Sequence, residues 1–175
     1  MRRGQARLAG ATLLACSVVL SGCTNYSQLQ FTNDKRLHFL APKNESVQKA
    51  PVVLTWTMSD FTVAGQGQAP VSRHTGYFAI FIDRSPVKPG QSLKSLDSTD
   101  HTCRTTPACP TASFLSGIQV YTTTQDSYTL PTVNSTGGTG KFQRHAAVIV
   151  LIDTSGHRIG ESSWEVDFKL PKPVF

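Results

Sequence analysis

His145-Ala-Ala-Val-Ile-Val-Leu-Ile-Asp153 is the most apolar stretch of the chain after residue 22. Its seven consecutive apolar residues are rich in valine and isoleucine, which is typical of a strand buried on both faces. The residues Asp153-Thr-Ser-Gly-His157 then favour a turn. Arg158–Leu170 is predicted to return as the partner strand, because apolar and charged residues alternate from Trp164 onward. The sequence therefore predicts a long hairpin near its end.

Shorter strand signals precede this hairpin. Residues 52–58 alternate strictly, with one strongly apolar face that includes Trp56. Residues 77–83 are aromatic and β-branched and are followed by turn signals at Pro86 and Pro89-Gly90. Further strands are predicted at 37–40, 118–121 and 127–130. Since no segment shows a convincing amphipathic helix, we expect an all-β fold, an antiparallel β-sandwich of about seven strands.

The order of these strands resembles an immunoglobulin- or fibronectin-type domain over about residues 36–170, with a tryptophan on the second strand and a long final hairpin. The cysteine pair that joins the sheets of antibody domains is absent. Pro42–Trp56 is similar to the opening of bacterial Ig-like modules, including periplasmic copper carriers. Those carriers bind copper through a histidine near the mature N-terminus and through further His or Met ligands. Here His38 is the nearest match to that histidine, and no second ligand follows at a matching position, so the resemblance does not imply copper binding.

Residues 84–116 interrupt the strand pattern and form a long irregular insertion. Within it, Cys103 and Cys109 are separated by five residues. A short loop in an exported protein favours a disulfide between them. A zinc site would need two or more further ligands at motif spacing, and His101 alone does not supply them.

The N-terminus has the three parts of an export signal. Arg2, Arg3 and Arg7 precede an apolar run that ends at Leu20-Ser-Gly-Cys23. This ending resembles the lipobox of bacterial lipoproteins, which implies that Cys23 is acylated after residues 1–22 are removed. We therefore expect a protein anchored by lipid on the extracytoplasmic face of the cell membrane, with a polar tether over residues 23–35 and one domain over 36–175.

The charge of the remaining 153 residues is modest. Residues 1–22 hold three of the 17 Lys and Arg residues and none of the 11 Asp and Glu residues, which leaves 14 basic residues against 11 acidic ones. No cluster of Lys and Arg follows the signal, which argues against nucleic acid as a partner.

Several motifs are too incomplete to indicate an enzyme, a metal or a cofactor. The segment Asp153-Thr-Ser155-Gly-His157 resembles an adhesion-type metal motif with its second serine replaced, and a single Asp-Thr-Ser-Gly lacks the second carboxylate of aspartic proteases. Gly137–Lys141 departs from the phosphate-binding pattern. No Gly-x-Ser-x-Gly sequence occurs. His145 and His157 are predicted to be surface groups.

We therefore expect a non-catalytic binding or interaction module, with the membrane and another envelope protein as partners. The candidate contact regions are 84–116 and 132–143. The exposed-type residues chosen for testing are Arg84, Lys88 and Arg104 in the first region, together with Tyr121, which lies between the two. Three alternatives stay open. The first is a metal- or small-ligand-binding accessory protein, which requires convergence among His74, His101, Asp83 or Asp153. The second is an envelope enzyme with an unrecognised site, and the third is a structural spacer.

Overall fold

A computed structural model describes residues 34–99, 103, 106, 109–137 and 140–172, and its regular structure is mostly strand. The all-β prediction is confirmed. The strands are β1 Leu37–Ala41, β2 Ser46–Val47, β3 Val52–Met58, β4 Thr62–Val63, β5 Thr75–Ile82, β6 Val120–Thr123, β7 Ser127–Leu130, β8 Phe142–Asp153 and β9 Trp164–Pro171. A 3-10 helix, Leu93–Asp97, and a short α-helix, α1 Ala112–Gly117, lie between β5 and β6.

The strands form two open sheets. The smaller sheet has the order β1-β3-β7, and both of its pairings are antiparallel. The larger sheet has the order β2-β9-β8-β5-β4, with β6 also paired to β5. In the larger sheet, β5, β6, β8 and β9 pair antiparallel, whereas the two-residue strands β2 and β4 join its edges in parallel.

One apolar cluster joins the two sheets. Val52, Leu54 and Trp56 point inward from β3, as their alternation predicts, and Trp56 has no exposed surface. They pack against inward residues of the larger sheet, where the rings of Trp56 and Phe78 meet edge to face with their centroids 5.2 Å apart.

A second apolar cluster covers the other face of the larger sheet. Val148, Val150 and Ile152 of β8 belong to it, whereas Ala147, Ile149 and Leu151 belong to the cluster between the sheets. The prediction that residues 145–153 are buried on both faces is therefore confirmed. The cover comes from the insertion after β5, which contributes Val87, Leu93, Leu115 and their neighbours.

The insertion is more regular than its sequence suggests. Residues 84–116 were expected to be irregular, but they contain the 3-10 helix and most of α1. Ser92 caps the first helix by accepting a hydrogen bond from the Lys94 amide, and Thr111 caps α1 by accepting one from the Phe114 amide. Both helices bury their apolar residues against the larger sheet, which explains how such short helices are stabilised.

Two strands begin later than the sequence predicts. The strand predicted from Ile118 begins at Val120, because Ile118 still donates its amide to α1 carbonyls and Gln119 has a φ of +59°. The final strand begins at Trp164 instead of Arg158, since Arg158 belongs to the connection that is hydrogen-bonded to the insertion.

No described helix is long and apolar enough to cross a membrane.

Asp34, the first described residue, is tied to the start of β9. Its backbone carbonyl accepts a hydrogen bond of 2.6 Å from Trp164 Nε1. Its carboxylate accepts hydrogen bonds from the Arg36 guanidinium, from Nε at 3.1 Å and from Nη2 at 2.7 Å, and from the Arg36 backbone amide at 3.0 Å. The hydrogen bonds from Arg36 hold the pKa of Asp34 well below its usual value, and this outweighs the opposing effect of burial.

Replacing Asp34 by asparagine should flatten the acid dependence of stability. Because the folded-state pKa of Asp34 is lowered, its contribution is complete above the unfolded pKa of about 4 and is lost as the pH falls toward the folded value. Urea unfolding between pH 6 and pH 2 should show a smaller acid loss in Asp34→Asn than in the parent chain. The exposed Asp126→Asn is the matched control, and parallel curves for Asp34→Asn and the parent would contradict the prediction.

Candidate ligand cavity

A cavity of about 200 Å³ lies between the insertion and the turn that follows β8. Its walls combine a polar side with an apolar side. The polar residues are Gln66, Tyr77, Ser92, Lys94, Thr122 and Ser155, and the other lining residues are Leu93, Cys109, Pro110, Ala112, Leu115 and Gly156.

Backbone hydrogen bonds fix the insertion to the turn. Leu93 donates its amide to the Gly156 carbonyl at 2.9 Å, and Ser92 forms an antiparallel bridge with His157. Gly156 has a φ of +91°, in the left-handed region that favours glycine. The turn of Asp153–His157 therefore presents its backbone to the insertion, and the cavity forms beside this junction.

Asp153 organises the turn. Its Oδ1 accepts hydrogen bonds from the amides of Ser155 and His157, both at 2.9 Å, and from Ser155 Oγ at 2.7 Å. Burial raises the pKa of Asp153, but the hydrogen bonds from His157 and Ser155 outweigh it and keep the pKa below its usual value. This arrangement confirms the predicted aspartate turn and directs the carboxylate toward its own loop.

Ser155, His157 and Asp153 lie close together but not in the order of a catalytic triad. His157 Nδ1 lies 3.0 Å from Ser155 Oγ, and the carboxylate also bonds this same hydroxyl. In a triad the carboxylate instead bonds the second ring nitrogen and orients the histidine. The hydroxyl proton here has two competing acceptors, so the geometry does not activate Ser155 as a nucleophile.

Tyr77 is the buried polar residue of the cavity. Its side chain belongs to the second apolar cluster, and the residue is only 4% exposed. Burial, and then the nearby negative charge of Asp153, raise the pKa of Tyr77 to about 12. The hydroxyl therefore keeps its proton at neutral pH, and it has no hydrogen-bonding partner among the described residues.

Polar atoms converge around Gly156. A Cβ placed on this glycine would lie 3.7 Å from Ser92 Oγ, 3.9 Å from the Tyr77 hydroxyl and 4.0 Å from Gln66 Nε2. Lys94 adds a cation to the same lining, and no ion pair of Lys94 occurs within the described part of the chain. The cavity thus gathers hydrogen-bond donors from three separate parts of the sequence.

The disulfide prediction is confirmed. Cys103 and Cys109 are bonded, with their Cα atoms 5.1 Å apart, and both are buried. Asp97 lies beside them, with a carboxylate oxygen within 4.8 Å of the sulfurs. The bonded sulfurs are not thiolates, which are the form in which cysteine binds metals. The disulfide instead closes the loop that brings Cys109 and Pro110 to the cavity wall.

The exposed-type residues chosen from the sequence do not form this site. Arg84 is half-buried and donates from Nη1 to the Ile118 carbonyl at 2.8 Å, whereas Lys88 is exposed. Arg104 lies outside the described residues. The expectation that Tyr121 is exposed is wrong, because it is 3% exposed and its hydroxyl bonds the Gln119 side chain and the Thr132 carbonyl. None of the three described residues lines the cavity.

The expectation that His145 is a surface group is also wrong. Strand β8 begins at Phe142, three residues earlier than predicted. Within it, His145 shares the inward face with Ala147 and Ile149 and lies beside Phe168. Its Nδ1 lies 2.7 Å from Asp83 Oδ2, and its Nε2 is buried without a partner among the described residues. His157 is exposed, as expected.

The described residues of the alternative metal site do not lie close together. The pairing of β5 with β8 places Asp153 opposite Gly76, and Ala147 opposite Ile82, the residue before Asp83. The two aspartates therefore lie near opposite ends of these strands, about 20 Å apart at the usual rise per residue. His74 is exposed, and His101 lies outside the described residues.

No protein-family model, curated protein or solved structure matches this chain. The function is therefore inferred from the residues and their geometry.

Proposed function

We propose that this protein is a lipid-anchored binding module of the bacterial envelope, built on an Ig-like β-sandwich. The strand orders support the Ig-like fold. The β1-β3-β7 sheet parallels strands A, B and E of an immunoglobulin domain, and the β9-β8-β5 order parallels strands G, F and C. Seven of the strands in the described part have four or more residues, and this agrees with the expected sandwich of about seven strands.

Two features support export and anchoring. The sequence around Cys23 has the form of a lipobox, and two or more acyl chains hold a protein stably on a membrane. The Cys103–Cys109 disulfide favours an oxidising compartment outside the cytoplasm. Together they support the proposal that the domain lies on the extracytoplasmic face of the cell membrane, carried by the tether over residues 23–35.

The observation that carries the binding role is the cavity beneath the insertion. It combines the Tyr77 hydroxyl, which bonds none of the described residues, with further polar groups and an apolar side, which is the usual composition of a small-ligand site. A non-catalytic role fits the Asp153 turn, because Ser155 and His157 lack the hydrogen-bond order that activates a nucleophile.

The anchor predicts a defined mature N-terminus. In cells fed an isotopically labelled fatty acid, the chain should carry the label and begin at Cys23 in mass spectra. Cys23→Ala should lose both the label and the membrane association, because the thiol is the acylated group. Cys16→Ala is the matched control within the same apolar run. An unlabelled chain that retains residues 1–22 would contradict the anchor.

The binding role is tested by thermal melting of the full-length chain in neutral-detergent micelles with a diverse set of small polar and amphipathic compounds. A compound that binds the folded state raises the melting temperature. We expect compounds whose stabilising effect is reduced by Tyr77→Phe, a change that removes only a hydroxyl with no hydrogen-bonding partner among the described residues. If every stabilising compound acts equally on the parent and on Tyr77→Phe, the cavity is not the binding site.

A further inference from the structure

We propose that the cavity binds the carboxylate of a small ligand, an inference that rests on the proposed binding function and names its ligand class. The first support is the excess of hydrogen-bond donors. The Tyr77 hydroxyl and the Gln66 side-chain amide nitrogen lie beside Gly156, and Lys94, whose side chain ends in an ammonium, is among the lining residues. Ser92 Oγ accepts from the Lys94 amide and donates to no described residue, so its proton is available to a ligand.

The second support is the sign of the charge. Lys94 is cationic, and none of the described residues that line the cavity is acidic. Two carboxylates lie close to this lining. Asp153 directs Oδ1 to three donors of its own turn, and a carboxylate oxygen of Asp97 lies within 4.8 Å of the Cys103 and Cys109 sulfurs. A ligand carboxylate would accept hydrogen bonds from Tyr77 and Ser92 and pair with Lys94, and such charge-assisted bonds are stronger than neutral ones.

The third support is the shape of the remaining space. About 200 Å³ corresponds to the volume of roughly six or seven water molecules. Leu93, Leu115 and Pro110 provide apolar wall opposite the donors. This volume accommodates a carboxylate with a short aliphatic body, and the apolar wall favours an aliphatic body over a polyhydroxylated one.

Two sources share this chemistry, a free short-chain acid and the C-terminal residue of a peptide. The experiment therefore uses two acid and amide pairs: propionate with propionamide, and N-acetylalanine with N-acetylalaninamide. Each is titrated into the isotopically labelled full-length chain in neutral-detergent micelles, and the dissociation constant is measured from the NMR shifts of the Gly156 and Leu93 amides. Each amide keeps the size of its acid and removes the charge.

We expect the acid of at least one pair to bind about tenfold or more tightly than its amide. Lys94→Met and Tyr77→Phe should each weaken the acid by about five- to tenfold. Lys88→Met and Tyr128→Phe, which change residues outside the cavity lining, are the matched controls and should leave the constant unchanged. Tighter binding of N-acetylalanine identifies a peptide C-terminus, and tighter binding of propionate identifies a free acid.

Equal binding of acid and amide would overturn the carboxylate inference. The proposed binding function would still stand if that binding weakened in Tyr77→Phe. If neither pair shifts the two amides, the inference is overturned, and the melting experiment then decides the proposed function separately. Acid binding that Lys94→Met and Lys88→Met weaken equally would also overturn the inference, because it would indicate attraction to general surface charge.

Discussion

Gly76→Ala is expected to prevent the domain from folding stably. Gly76 pairs with Asp153 in the larger sheet, and a Cβ at this position would lie 1.9 Å from the Ile152 carbonyl oxygen and 2.8 Å from its carbonyl carbon. Both are backbone atoms of Ile152, a fully buried residue of β8, so the clash cannot be relieved by a side-chain movement. We expect a loss of about 4 kcal/mol or more in the free energy of unfolding.

Gly117→Ala is the matched control for this change. Gly117 ends α1, and a Cβ there would meet no atom within 4 Å. Urea unfolding of the chain from residue 24 onward, followed by the fluorescence of Trp56 and Trp164, should show an unchanged or raised midpoint for Gly117→Ala. A Gly76→Ala midpoint equal to that of the parent would mean that β5 and β8 do not approach as described.

Arg158→Met is expected to lower the free energy of unfolding by about 3 kcal/mol. Arg158 is 8% exposed, and its guanidinium donates to the carbonyls of Val87 at 2.6 Å, Glu161 at 2.8 Å and Ser162 at 3.1 Å. These bonds join the start of the insertion to the connection before β9. Their loss leaves carbonyl groups without a donor, and hydrogen bonds from charged groups contribute more than neutral ones.

Arg158→Lys should recover only a small part of this loss, because one ammonium cannot reproduce the planar fork that reaches three carbonyls. Arg73→Met, at an exposed arginine, is the matched control. Hydrogen exchange adds a local readout, since the Leu93 amide is bonded to Gly156 across the same junction and should exchange faster in Arg158→Met. Unchanged exchange at Leu93 together with an unchanged midpoint would contradict the role of Arg158.

Local patterns were sufficient to predict most of the strands. The alternation in residues 52–58 correctly gave one buried face, and the continuous apolar run of 145–153 correctly gave burial on both faces. Residues 127–130 were predicted with the bounds that β7 has. These patterns work because a strand alternates its side chains between two faces, and each face keeps one environment.

The insertion could not be predicted in the same way. Its helices are short and depend on contacts with strands distant in sequence, so local propensity gave little signal. The sequence favours Tyr121 as an exposed-type residue, but its hydroxyl is buried because the fold brings its partners Gln119 and Thr132 together. His145 appeared to open a strand that in fact begins earlier.

The cavity was missed for a related reason. The sequence pattern predicts that Tyr77 lies in a strand and that Ser92 and Lys94 lie in an irregular segment, and it gives no sign that the three meet. Their convergence depends on the insertion crossing the larger sheet to meet Gly156, which is a long-range contact. One available signal was the tyrosine within an otherwise apolar strand, since a buried hydroxyl usually has a hydrogen-bonding partner.

The most direct test of the central claim is to locate a bound ligand by intermolecular nuclear Overhauser effects. The ligand for this test is the compound that most raises the melting temperature of the full-length chain. Binding in the cavity predicts contacts from this compound to the Tyr77 ring and to the methyl groups of Leu93 and Leu115. Contacts only with the open groove lined by Met58, Phe61 and Phe78 would contradict the claim that the cavity is the binding site.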